Sequence, residues 1–345
     1  MSGFFFLADQ KRPVRLLSSA LSSGNLPHAF LFTGIDGIGK KTAAMAFAMA
    51  CNCVDLPGEF AENKPETVAG SRDGQLEPCG QCSSCKKIIS GNHPDIILIN
   101  PSGALIKVDQ VRALCSRLVL KPYEAKKRFA IISDAQKLNP EAGNTLLKTL
   151  EEPPEHTVFI LTALQASDIL PTLVSRCQQI RFNPIPLSSI QAYLENSRGL
   201  TATKASAIAA MAGGSITRAE SMAKSNWMEK RNWIIEELKA LPSRSINLQL
   251  AFSEALSKNK EWVFEAFDIM KNWFRDIVIY HFRPDRIMNQ DLADPINTAS
   301  QRADNNINAL LQKIKAVEKA EKDIKSNANL RLTLDSLMLT LSKGY

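Results

Sequence analysis

The 345-residue chain contains no run approaching the roughly 18 uncharged apolar residues that a membrane-spanning helix requires. Its early apolar stretch, residues 4–8, is too short for the core of a secretion signal, and Asp9 and Lys11 follow it at once. A cytoplasmic protein with no membrane partner is the expectation. A disulfide framework is missing too. Seven cysteines are an odd number for one, and free thiols suit a reducing compartment. Nor is there a concentrated basic stripe with interleaved aromatics, the footprint of a dedicated nucleic-acid binder. The net charge of +7 favours an anionic partner only mildly. The densest basic cluster, Lys121, Lys126, Lys127 and Arg128, reads first as a solvated turn and second as a contact for DNA or a partner.

The first half of the chain alternates short apolar segments with helical patterns. Residues 29–33, 96–99, 129–133, 158–162 and 179–182 are β-rich and mostly apolar, as a sheet covered on both faces requires. Between them, the spacing predicts helices over 108–118 and 140–151. The second has Asn139 as N-cap and Pro140 in its first turn, and it stops before Pro153-Pro154. Alternation of this kind predicts an α/β domain with a largely parallel sheet, here assigned to 1–183. Asn183-Pro184-Ile185-Pro186 punctuates the chain, and a small helical domain is expected over 184–224. Strand signals then vanish. Helical spacing over 227–241, 247–256, 262–282, 307–325 and 330–342 predicts an all-α third domain, 225–345. The Lys/Glu mixture of 313–325 reads as a solvated helix face. Residues 55–78 carry little periodicity and are expected as a long, disordered loop.

Two motifs carry chemistry. The segment Gly34-Ile-Asp-Gly37-Ile-Gly39-Lys40 stands between an apolar strand and a helix, the context of a phosphate-cradling loop. Backbone N–H groups at the helix start would bind phosphate oxygens, and Lys40 would reach the outer phosphates. The hydroxyl that holds magnesium should follow that lysine, but Lys41 stands there and Thr42 comes one step late. A one-residue step turns a helical side chain by about 100°. The strand ending at Ser133-Asp134 should continue with a glutamate that activates water, and it continues with Ala135. Losing a positioned base costs roughly 10²–10⁴ in rate. These two defects predict a site that turns ATP over barely or not at all, with nucleotide binding by Gly34, Gly37, Gly39, Lys40, Thr42 and Asp134 left open.

The second motif is Cys79-Gly-Gln-Cys82-Ser-Ser-Cys85, with Cys53 and Cys51 upstream. Two Cys-x-x-Cys steps plus one distant thiolate match a tetrahedral zinc site, and four thiolates make it closed and structural. Cys53 and Cys51 compete for the fourth position. The cysteines outside the site are expected to be buried small hydrophobes.

These motifs, together with Leu26-Pro-His-Ala-Phe-Leu-Phe, His93-Pro-Asp95, Val108-Asp-Gln-Val-Arg112, Asn144-Thr-Leu-Leu-Lys-Thr-Leu-Glu-Glu-Pro-Pro154 and Ser175-Arg176-Cys177, resemble the AAA+ clamp-loader subunits of bacterial DNA polymerase III. The resemblance covers most of the first domain and accounts for a three-domain layout: AAA+ domain, helical lid and all-α collar. It favours Cys53, Cys79, Cys82 and Cys85 as the zinc ligands. A gamma/tau-type motor would keep a Thr after Lys40, a Glu at 135, a polar sensor at Ala163-Leu164 and an Arg at 217, where Thr217 stands. These departures resemble the delta-prime branch of the family, the non-hydrolysing one.

The resemblance implies a stator in a hetero-pentamer with gamma/tau and delta subunits. That assembly loads a sliding clamp onto primed DNA as part of a DNA-directed DNA polymerase holoenzyme, a nucleotidyltransferase. It also implies that Arg176 serves as an arginine finger in the ATP site of a neighbouring subunit. Such fingers are worth about 10³–10⁵ in kcat. Two rival readings are an active gamma/tau-type ATPase, against which Lys41 and Ala135 argue, and a stand-alone zinc-dependent nucleic-acid-binding protein.

Overall fold

The computed structural model describes residues 9–24, 26–55, 77–302 and 306–343. The 4–8 run and most of the expected 55–78 loop lie outside the described residues. The chain divides into two compact units, one of Met1–Ser189 with Gly213–Arg218, the other of Ile190–Ala212 with Ala219–Tyr345.

In the first unit the strands β1 (Ala29–Thr33), β2 (Ile96–Ile99), β3 (Arg128–Ile132), β4 (Thr157–Ala163) and β5 (Gln178–Arg181) form one sheet in the order β2-β3-β4-β1-β5. Every pairing is parallel. The expected strands thus stand within a residue or so of their predicted places. β1, β3 and β4 are buried from end to end because both faces of the sheet are covered. Successive side chains point to opposite faces. Phe30, Phe32, Phe129 and Ile131 belong to one apolar cluster with Val14 and Leu17 of α1 (Lys11–Ser22) and Ala43 and Phe47 of α2 (Lys40–Asn52). The Phe47 ring meets Phe30 and Phe129 edge-on, at centroid distances of 5.5 and 5.9 Å. Leu31, Ala130, Ile132 and Leu161 belong to a second cluster with Val111 and Leu114 of α4 (Val108–Leu118) and Leu146 and Leu150 of α5 (Pro140–Glu151). Each fully buried Leu, Ile or Phe contributes about 1.5–3 kcal/mol. α4 and α5 have the predicted bounds, and the Asn139 side chain accepts from the Ala142 N–H as an N-cap does.

Several local expectations need correction. Arg128 is not part of a solvated cluster. It is buried, and its guanidinium donates to the carbonyls of Arg117, Leu120 and Lys121 and approaches Asp95 at 3.5 Å. The helix after the cysteines, α3 (Ser83–Ile89), begins inside the motif itself, because Cys82 acts as its N-cap and accepts from the Cys85 N–H. The 187–224 segment is three helices, α7 (Leu187–Arg198), α8 (Ala202–Ala212) and α9 (Ile216–Lys224). Gly213 and Gly214, both at positive φ, separate the last two. A Cβ on Gly214 would lie 2.5 Å from the Pro184 side chain, so no larger residue fits there. α6 (Pro171–Val174) is a single turn before the Ser175-Arg176-Cys177 motif.

The second unit is helical throughout its described length. Besides α8 it holds α10 (Trp227–Ala240), α11 (Ile246–Ser257), α12 (Lys260–Phe282), α13 (Ala293–Arg302), α14 (Ile307–Lys325) and α15 (Leu330–Leu341). The 23 residues of α12 span about 34 Å. They present Phe267, Met270, Trp273 and Ile277 to the core, and α10, α11, α13 and α14 pack along them. α1 and α13 were not predicted. The 313–325 face is not wholly solvated either: Lys313 is buried with its ammonium 5.9 Å from the Phe274 ring.

Candidate functional site

β1 delivers the chain to Gly34 at the carboxyl edge of the sheet, where Gly34, Gly37 and Gly39 all adopt positive φ. Close approach explains two of them. A Cβ on Gly34 would sit 2.7 Å from the Phe182 carbonyl oxygen, and one on Gly37 would sit 2.2 Å from Ser215 Oγ. The Gly37 carbonyl accepts from the Thr217 N–H at 3.2 Å, so the 213–218 segment closes directly on the loop. Gly39 then caps α2, whose first turn opens with Lys40. First-turn N–H groups have no partner within their own helix and favour an anion.

Lys40 is buried, and its Nζ donates to the carbonyls of Gly34 and Ile35, the second at 2.8 Å, with Asp36 at 3.7 Å. Burial holds its pKa below the usual lysine value, while Asp36 and Asp134 act in the opposite direction. A cavity of about 600 Å³ opens beside it. Lys40, Lys41, Thr42, Ser133, Asp134, Thr162 and Thr217 line its polar side, and Met45, Met49, Ile88 and Ile89 its apolar side. Ser133 Oγ is buried with no hydrogen-bond partner. This donor set suits a phosphate group beside an apolar body.

Lys41 and Thr42 are both exposed, and Lys41 Nζ lies 3.4 Å from Asn100 Oδ1. Asp134, at φ 54°, pairs with Lys137 at 3.1 Å and donates its N–H to Thr162 Oγ1. Behind it Ala135 is buried and offers no carboxylate. Ala163 is buried at the end of β4, and Thr217 presents a short hydroxyl to the cavity. Sequence reasoning missed Ser133 and Thr162 as parts of this wall, and Ser215 as the neighbour of Gly37. Their signal is faint, since Ser and Thr at strand ends are common.

The four cysteines Cys53, Cys79, Cys82 and Cys85 come together, all sulfurs lying within 4.8 Å of one another. Tetrahedral zinc at its usual bond length needs sulfurs about 3.8 Å apart, so the cluster could hold a metal ion with little movement. The N–H groups of Cys79, Cys82 and Cys85 point at the sulfurs of Cys53, Cys79 and Cys82 at 3.3–3.5 Å. Cys53 is the C-cap of α2 and Cys82 the N-cap of α3, so the cluster joins two helix ends. Cys51 is not in the cluster. It is buried in the core, where burial pushes its thiol up to about 12. Cys115 and Cys177 are only half-buried, short of the full burial expected.

Arg176 does not line the cavity of its own chain. It lies one residue beyond the C-cap of α6, about one-third exposed, and NH2 donates to Glu151 Oε1 at 2.6 Å. NH1 donates to the Thr172 carbonyl at 2.9 Å.

Comparison with known proteins follows the same outline. The family model described as DNA polymerase III, delta subunit, matches residues 9–186, and its C-terminal counterpart matches 225–343. The chain belongs to the DNA polymerase III delta-prime subunit family. Delta-prime of Bacillus subtilis (strain 168) is 29% identical over 97% of each chain. Delta-prime of Pseudomonas aeruginosa is 31% identical over 72% of this chain and 70% of that one. The tau subunit of B. subtilis is 34% identical, but over only 53% of this chain and 30% of its own. The delta-prime likeness therefore runs nearly the length of the chain, whereas the tau likeness covers about half of it. The fold is a phosphate-loop α/β domain with a parallel sheet, followed by an all-helical C-terminal region, and the chain is a clamp-loader subunit of delta-prime type.

Proposed function

We propose that this chain is the non-hydrolysing stator of a DNA polymerase III clamp loader, working in the cytoplasm with gamma/tau-type and delta-type subunits. In this reading it helps to load a sliding clamp onto primed DNA and lends Arg176 to the ATP site of a neighbouring subunit. Residues 1–183 form the nucleotide-binding-like domain, 184–224 the lid and 225–345 the collar through which the subunits assemble. Cys53, Cys79, Cys82 and Cys85 hold a structural zinc ion.

One observation carries the reading. The cavity at the phosphate loop keeps the groups that would grip a phosphate, Lys40 and the α2 N-terminus, while buried Ala135 stands where a base would. Gripping without a base holds a nucleotide but does not activate water. Arg176 stands apart from that cavity on the surface, where a second protein can reach it. A guanidinium there can neutralise charge that develops on a γ-phosphate held by the neighbour.

The tau likeness over about half of the chain, and Thr42 in the cavity wall, favour a second reading as an active gamma/tau-type ATPase. Steady-state ATP hydrolysis by the isolated chain, with magnesium and primed DNA, separates the two. The stator gives no turnover. Clear turnover that Lys40→Ala abolishes would replace it with the motor.

A further inference from the structure

Arg176 carries five N–H donors, and the structure engages two of its nitrogens. NH2 is held by Glu151 Oε1 at 2.6 Å and NH1 by the Thr172 carbonyl at 2.9 Å. Those two acceptors come from different elements. Thr172 lies in the short α6, and Glu151 is the last residue of α5, a rigid helix with Leu146 and Leu150 in the core. A guanidinium fixed at two points has its plane set. The pair itself contributes little to stability, because the arginine is 35% and the glutamate 51% exposed. Ion pairs this exposed add little to folding stability. Its effect is geometric.

We propose that Glu151 is a positioning residue for Arg176, holding the guanidinium in the orientation in which it enters the neighbouring subunit's ATP site. The inference rests on the proposed role of Arg176 in trans. Misplacing a catalytic group by about 1 Å costs on the order of 10²-fold in rate, which sets the scale of the effect.

The test uses the complete complex, reconstituted with gamma/tau-type and delta-type subunits, clamp and primed DNA, and measures kcat and KM for ATP. Arg176→Ala lowers kcat through loss of the finger itself. Glu151→Ala lowers kcat by roughly 10- to 100-fold with KM unchanged, and leaves assembly and the thermal midpoint of the chain as they were. Glu151→Gln keeps an acceptor oxygen at the same reach and recovers most of the rate. On an Arg176→Ala background, Glu151→Ala has no further effect. If Arg176→Ala lowers kcat and Glu151→Ala leaves it unchanged, the positioning role is overturned and the finger stands. A Glu151→Ala loss that persists undiminished on the Arg176→Ala background also overturns it, as does a rise in turnover, which would make Glu151 a restraint. If Arg176→Ala itself has no effect, the finger role fails first and the positioning role falls with it.

Discussion

Asp95 shows how much one buried residue organises. It sits in the His93-Pro-Asp95 motif, and its carboxylate accepts from the N–H groups of Tyr123, Glu124 and Ala125 and approaches Arg128. Arg128 in turn holds three carbonyls of the 117–121 segment. Substituting Asp95→Ala leaves three N–H groups unsatisfied and a buried guanidinium without its counter-charge. A loss of about 3 kcal/mol or more is expected in urea denaturation, against little change for an exposed carboxylate such as Asp109. The same site sets an acid limit. Burial alone would raise the Asp95 pKa, but the three N–H donors and Arg128 outweigh it and hold the carboxyl below its ordinary value. Its contribution is therefore whole above the unfolded carboxylate pKa, about 4, and is lost as pH falls through the lower folded value. Burial also holds His93 below its usual 6.5, with Glu124 and Asp95 opposing that shift and Lys87 adding to it. As pH drops below 6.5 the unfolded chain takes up that proton more readily, so stability declines in two steps on the acid side. A flat denaturation midpoint from pH 7 down to pH 4 would sink the His93 part.

At the scale of elements, caps and clusters decide where helices begin. Asn139 caps α5, and α5 carries Glu151 at its far end. Asn139→Ala should cost about 1 kcal/mol, read as a lower denaturation midpoint with an unchanged slope. The cysteine cluster works on two elements at once, since Cys53 ends α2 and Cys82 starts α3. With zinc bound, metal and protein folding are linked. Purified chain is expected to carry about one zinc per molecule, as the four-thiolate set requires. Cys82→Ser should lose most of it, whereas Cys51→Ser, outside the cluster, should keep it. Equal zinc in both variants would remove the ligand assignment. The cluster was legible because Cys-x-x-Cys spacing is a local signal. The start of α3 at Cys82 was not, since a sulfur acting as an N-cap has no established place among capping residues.

For the whole molecule, family membership extends over both units, as the two matches at 9–186 and 225–343 show. The proposed division of labour makes a prediction at this scale. Added to gamma/tau-type subunits, the chain should raise their ATP turnover while contributing none itself. A complex as active without this chain as with it would contradict the trans role. The helices of the second unit were largely anticipated in place because they carry apolar residues at helical spacing, which the core buries. α13 was missed: it is short and mostly polar, and its core anchor among the described residues is Ile296.

The sequence by itself determined the parallel α/β domain, the phosphate loop and the three thiols of the paired Cys-x-x-Cys steps. Each of these is written in local spacing: alternating apolar runs, glycines before a helix, paired Cys-x-x-Cys steps. Only the tertiary structure decided which cysteine joins the cluster, that Arg128 is an internal brace, that Ser215 and Thr217 close on Gly37, and that Glu151 grips Arg176. Those contacts join residues from 7 to about 180 positions apart or choose between near neighbours, and chain packing, not local propensity, sets which of them meet.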